Sequence, residues 1–200
     1  METVFDNLNK SIFNSINHFA GNNVILDKTA IIIAEYLPVI FIFILIYYWL
    51  KNNGLRNSIL YCFYSAILGL ILNYIITLFY FHPRPFMDKI GIILIQHVPE
   101  TSFPSDHTTF MTSTALMLLY FKNTRFLGIL LLSLSLIGGT ARVFTGIHYP
   151  FDIMGSFLVA GISSFIIFQS QSKLIQINKV IESIYVKIEN YLLRKNINKK

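Results

Sequence analysis

The chain has 200 residues, of which 54% are hydrophobic and 13% charged, and its formal net charge is +6. A soluble domain averages about a quarter charged, so this composition excludes an ordinary soluble protein, and the apolar residues fall in runs long enough to cross a bilayer. Cys62 stands alone, which excludes an internal disulfide and a cysteine metal cluster, and the basic residues lie where membrane loops and tails carry them, so no nucleic-acid partner is implied.

Residues 1–28 are polar and amphipathic, without the apolar core or small-residue cleavage site of a signal peptide. Phe5, Leu8, Ile12, Phe13, Ile16 and Phe19 recur near helical spacing, which suits a segment lying flat in the outer membrane interface. Five spanning helices are then expected, at about 29–50, 57–81, 103–121, 126–142 and 151–169. The third and fourth are short for a bilayer that needs about 20 residues. Glu35, in the first, reads equally as a group hydrogen-bonded within the bundle or as a contact in a substrate groove. Gly138, Gly139, Gly155 and Gly161 mark places where helices can approach closely. From 171 onward a basic amphipathic helix is expected. The fold class is thus an all-α integral membrane bundle of about five transmembrane helices. It forms one domain over 1–200, with an N-terminal segment (1–28), a membrane core (29–170) and a basic tail (171–200).

Lys51 and Arg56, Lys122 and Arg125, and the lysines and arginines of the tail all fall on one side of such a bundle. That side is expected to be cytoplasmic. The opposite, external side holds three polar clusters: His-Pro-Arg-Pro-Phe at 82–86, Phe-Pro-Ser-Asp-His at 103–107, and the stretch 141–152 with Arg142, His148 and Asp152. Two helices end there and two begin. A helix N-terminus offers unpaired N–H groups and partial positive charge. Ser105 is placed to cap one such helix, which leaves the amides of Asp106 and His107 for an anion. Arg84 and Arg142 add paired donors that match phosphate oxygens. His148 and Asp152 are four apart, so a carboxylate in the first turn reaches back to the imidazole and fixes its tautomer. His148 is then a nucleophile candidate and His107 an acid–base candidate. His97 and His18 read as ordinary surface or interface residues. Two histidines and an aspartate are enough ligands for a metal, but the arginines beside them repel a cation, so no metal is expected.

Arg84-Pro85, Pro104-Ser105-x-His107 and Arg142-x5-His148-x3-Asp152 together resemble the signature of the type-2 phosphatidic acid phosphatase superfamily. Stretches such as LNYIITLFYFHPRPF, FPSDHTT and HYPFDIMGS are similar to its undecaprenyl-diphosphatases of the bacitracin-resistance type. The resemblance covers roughly residues 30–165 and departs at three points. The motif lysine falls at Thr77, the motif glycine is Asp106, and the motif serine is Ala141. It implies hydrolysis of undecaprenyl diphosphate to undecaprenyl phosphate and phosphate through a phosphohistidine. It also implies bacitracin resistance, and chemistry without a metal or other cofactor. The partners implied are a polyprenyl diphosphate lipid and the membrane. His148, His107 and Asp152 take the catalytic roles, and Arg84, Ser105, Asp106 and Arg142 bind phosphate. Asp106 is expected to present its amide to phosphate and turn its carboxylate toward an arginine. His82 or Lys89 are candidates to replace the charge missing at Thr77. The alternatives are the same chemistry on phosphatidic acid or phosphatidylglycerol phosphate, and a non-enzymatic membrane transporter. The sequence leaves the oligomeric state open.

Overall fold

The computed structural model describes residues 4–51 and 53–197, and among them it contains seven α-helices and no strand. They are α1 (Val4–Asn17), α2 (Val24–Lys51), α3 (Arg56–Phe79), α4 (Asp106–Leu119), α5 (Arg125–Phe144), α6 (Pro150–Gln169) and α7 (Gln171–Ile197). The five apolar segments of the sequence are all helical. Of these, α2, α3, α5 and α6 are long and apolar enough to cross a membrane. The remaining one, α4, has 14 residues. At a rise of 1.5 Å per residue it spans about 21 Å, short of a hydrocarbon core of about 30 Å. It starts later than expected because Pro104 and Ser105 precede the first helical residue, and it stops before Tyr120.

This short helix is the axis of the bundle. It packs against α3, α5 and α6, and α2 lies outside, mainly on α5. Its sequence is not apolar all round: Thr108, Thr109, Thr112, Ser113 and Thr114 are all fully buried. Their hydroxyls and carbonyls tie it to its neighbours. Ser65 Oγ on α3 donates to the Ser113 carbonyl at 3.3 Å, Ser113 Oγ lies 3.2 Å from Ser163 Oγ on α6, and Thr112 Oγ1 donates to Ser135 Oγ on α5 at 3.4 Å. In lipid, where apolar contact offers no preference for protein over solvent, such small polar residues are a main means of holding helices together. Below this layer, away from the site, Leu37, Phe41, Leu45, Ile59, Met111, Met117, Leu118 and Leu131 close an apolar core.

Small residues set the helix spacing. A Cβ at Gly69 would stand 2.8 Å from Ser113 Oγ, and one at Gly139 would stand 2.7 Å from Ile153. Gly138 and Gly155 are equally hemmed in, by Met111 and by the ring of Phe103. Gly161 differs from the sequence expectation: nothing lies within 4 Å of the Cβ it would carry.

The two terminal segments pack onto the bundle. α1 presents Asn9, Phe13 and Asn17 inward while Phe5 and Leu8 remain exposed. Asn17 Nδ2 donates to the Ile92 carbonyl at 2.8 Å and the Phe144 carbonyl at 2.7 Å, and Phe13 meets Tyr149 edge-on. The helix is therefore docked against the site loops through polar anchors. At the other end, α7 buries Asn178 between Asn57 and Tyr64, at 2.9 Å from each.

Candidate active site

The residues between α3 and α4, 80–105, contain no regular element. A loop of that length in a compact bundle is usually functional. It is held by the Ser102 amide on the His82 carbonyl at 2.7 Å and by the Leu94 amide on the Thr145 carbonyl at 3.0 Å. Between α5 and α6 the chain turns through Gly146, whose φ of +84° suits glycine and whose missing side chain leaves room for the Ile92 carbonyl. That turn folds His148 back over Arg142, from the end of its own preceding helix.

The result is a guanidinium pair on one imidazole nitrogen. Arg84 Nη1 and Arg142 Nη2 each lie 3.3 Å from His148 Nε2. Arg84 also donates to the Ile147 carbonyl at 3.0 Å and to Glu100 at 3.0 Å, and Arg142 donates to the Ala34 carbonyl at 2.9 Å. The Nε of both arginines is buried with no hydrogen-bond partner among the described residues. Guanidinium groups have only donors, so Nε2 must carry the lone pair and Nδ1 the proton. Nδ1 faces Ser102 Oγ at 3.2 Å, and Ser102 in turn donates to Asp152 Oδ2 through a short hydrogen bond. The carboxylate itself lies 3.5 Å from Nδ1, at the outer limit for a direct bond. The reach from Asp152 to His148 expected from their spacing is thus largely relayed by Ser102.

Asp152 is fixed from further directions. Its Oδ2 accepts the Tyr149 amide at 2.7 Å, a cap on the first turn of α6, and its Oδ1 accepts from His82 Nδ1 at 3.0 Å. Burial is the largest influence on His148 and, with the two arginines, it outweighs Asp152 and lowers its pKa to about 3. A neutral imidazole with a free Nε2 is therefore held at neutral pH.

A cavity of about 310 Å³ is lined, among others, by Arg84, Asp106, His107, Arg142 and His148. Leu70, Tyr74 and Thr77 of α3 form one wall. A second cavity of about 390 Å³ shares His107, Arg142 and His97 with the first and reaches Glu35. Five of the seven sequence-derived site residues thus meet in one cavity, with Asp152 behind His148. Ser105 stands apart. It is fully buried and caps α4 without a side-chain bond to the helix backbone, its amide donating to Ser156 Oγ at 2.8 Å and its hydroxyl accepting from the Thr108 side chain at 3.2 Å. Its place is in the α4–α6 joint. The Asp106 carboxylate also differs from expectation: it accepts from Asn73 Nδ2 at 2.8 Å, not from an arginine. His82 serves Asp152 and is not among the residues lining the first cavity, and neither is Lys89. His97, read as a surface residue, lines both cavities and lies 3.5 Å from Glu100.

Ser102, Glu100, Asn73 and His82 were not assigned these parts from sequence. Asn73 carried a signal of its own, a strong polar side chain deep in an apolar helix, and His82 stood in the first polar cluster but was assigned a different part. The other three lie in a loop without periodicity.

Comparison with known proteins places the chain in a family. Residues 58–176 match the PAP2 superfamily. The chain is 38% identical over 189 residues to the undecaprenyl-diphosphatase BcrC of Bacillus subtilis, covering 94% of this chain and 97% of that protein. It is 30% identical over 192 residues to the bacitracin transport permease protein BcrC of Bacillus licheniformis, covering 94% and 93%. The crystal structure of Aquifex aeolicus LpxE shares the fold, with a TM-score of 0.69 over 81% of this chain and 95% of that one at 22% identity. On the family match and the near-full-length relatives, the chain is a membrane-embedded member of the PAP2 superfamily.

Proposed function

We propose that the protein hydrolyses undecaprenyl diphosphate to undecaprenyl phosphate and inorganic phosphate, and so recycles the lipid carrier of cell-wall synthesis and protects against bacitracin. The observation that carries this reading is the convergence of Arg84 and Arg142 on the unprotonated Nε2 of a buried His148. Two cations sharing one weak acceptor form a site that an anion completes. The undecaprenyl-diphosphatase from B. subtilis supports the choice of lipid.

Nε2 of His148 attacks the terminal phosphorus, and the bond from that phosphorus to the bridging oxygen breaks. His107 gives its proton to the departing lipid phosphate, then takes one from the water that attacks the phosphohistidine, releasing phosphate and freeing His148. The guanidiniums leave the imidazole for the phosphoryl oxygens and neutralise the charge spread over them. Ser102 and Asp152 hold the Nδ1 proton and balance the positive ring that forms. Asp106 offers its backbone amide, and its carboxylate is kept by Asn73. The exposed side of α3, with Ile67, Ile71, Tyr74 and Leu78, borders the cavity wall and offers the polyprenyl chain an apolar path. The exposed basic residues between α4 and α5 and along α7 lie at the end away from the site, which supports an external site and a cytoplasmic C-terminus.

The name of the B. licheniformis relative favours a second reading, transport. A transporter places its polar groups near the bilayer midplane, whereas here Arg84, Arg142, His107 and His148 gather at one end of the bundle. The test is phosphate release by the detergent-purified protein with EDTA present, offered undecaprenyl diphosphate and phosphatidic acid in parallel. Preferred turnover of the diphosphate, lost in His148→Ala, is the expected result. Preference for phosphatidic acid would move the substrate and keep the mechanism. No release from either would sink the enzymatic reading and favour transport.

A further inference from the structure

We propose that His82 is a positioning residue for the nucleophile, holding the outer oxygen of Asp152 and coupling the protonation state of the outer face to His148. The inference rests on the reading of His148 as nucleophile. Its basis is geometric. Asp152 is fully buried, and its two oxygens are divided: Oδ2 takes Ser102 and the Tyr149 amide, while Oδ1 takes His82 Nδ1 at 3.0 Å. The imidazoles of His148 and His82 therefore stand on either side of one carboxylate, and only His148 faces the substrate cavity.

His82 opens the other way. It lines two further cavities, of about 190 Å³ and 500 Å³, between α1 and the site loops. Its ring stacks on Tyr80 at a centroid distance of 6.1 Å and tilts against Tyr149 at 5.3 Å, so two aromatic neighbours set its orientation. The charged and titratable groups around it are Asp152 from α6, Tyr80 and Asp88 from its own loop, Asp6 and Lys10 from α1, and Tyr149, whose hydroxyl donates to Asp88 at 2.7 Å. Burial lowers the His82 pKa, but the bond to Asp152 and the charges of Asp152, Asp88 and Asp6 outweigh it and leave it raised.

Both forms of His82 can donate from Nδ1 to Asp152, so the hydrogen bond survives titration. What changes is charge. A neutral His82 leaves the Asp152 carboxylate free to balance the positive ring that forms when His148 is phosphorylated. A protonated His82 cancels part of that negative charge and weakens the support. The nucleophile thus works best when His82 has lost its extra proton, and the proton exchanges through the α1-side cavities without passing the bound lipid.

The experiment is kcat/KM for undecaprenyl diphosphate as a function of pH in the wild type, His82→Asn and His82→Ala, with thermal melts of each. An asparagine amide keeps a donor near the position of Nδ1 and carries no charge. The wild type is expected to show an acid-side step to a lower plateau, on the order of tenfold down. His82→Asn is expected to lose that step and to exceed the wild type at the acid end, with activity at high pH preserved. His82→Ala, which orphans Oδ1, is expected to lose activity at every pH. If His82→Asn keeps the wild-type profile, or His82→Ala matches the wild type, this inference alone falls. If the wild type releases no phosphate, the reading of the site falls and takes the inference with it.

Discussion

The bundle buries arginines at both ends, one at the start of α3 and two at the site, and the two ends treat them differently. Arg56, at the start of α3, is 2% exposed, and Arg84 and Arg142 at the site are 5% and 3% exposed. By burial alone they are the same. Arg56 lies 3.5 Å from Glu182 and 3.9 Å from Glu189, donates to the Trp49 carbonyl, and stands 4.5 Å from the centroid of the Tyr185 ring. Carboxylates and aromatic faces from α7 satisfy it within the chain. Arg84 and Arg142 have some partners, yet among the described residues the Nε of each has none, and each turns an Nη to the same imidazole nitrogen. A buried arginine with a complete set of partners clamps two helices together. A buried arginine with donors left over, facing a second one, is waiting for an anion.

That contrast can be broken most directly by Arg→Lys substitution. Lysine keeps the charge and loses the planar fork. Arg84→Lys and Arg142→Lys are each expected to lower kcat/KM on the order of a hundredfold. Arg56→Lys is expected to leave it within about twofold and to lower the melting temperature instead. Equal loss of activity at both ends, measured by phosphate release and thermal melts on the same preparations, would remove the distinction.

A smaller effect follows from the burial of His148. Its folded pKa of about 3 lies well below the unfolded value near 6.5. Between those values the unfolded chain binds the extra proton and the folded chain does not, so stability falls as pH drops from about 6.5 toward 3. Melts across that range should show this slope in the wild type and a weaker one in His148→Gln, whose side chain does not titrate. Identical slopes would mean that the imidazole is not held neutral.

The smallest effect concerns Glu100, which is over half exposed and pairs with Arg84 at 3.0 Å. It occupies a donor that phosphate would otherwise take. Glu100→Gln is expected to tighten inhibition by inorganic phosphate about threefold, the scale of a partly exposed ion pair. Unchanged or weaker inhibition would show that Glu100 does not compete for Arg84.

The sequence made the helices and one side of the site legible, for a physical reason. Spans announce themselves by long apolar runs, and the Arg142, His148 and Asp152 spacing is short-range, set by one turn and one helix start. What escaped depends on long-range closure. Ser102, Glu100 and His82 act only because a loop with no periodicity folds back onto α6 and Arg84. The docking of α1 was hidden for the same cause: the side chains that hold it are Asn9 and Asn17, polar residues that a hydrophobic pattern passes over. The third helix, expected over 103–121 and already short for a span, is shorter still, because Pro104 and Ser105 precede its first helical residue and it ends at Leu119. Phe121 instead stacks on Tyr61 beyond the helix end.

The central claim is that His148 carries the phosphoryl group. It is tested by rapid mixing with undecaprenyl diphosphate labelled at its terminal phosphate, quenching in alkali, and peptide mapping. The account predicts label on the His148 imidazole, stable in alkali, lost in acid and absent in His148→Ala. Phosphate released without any labelled protein on the turnover timescale, or label on a different side chain, would contradict it.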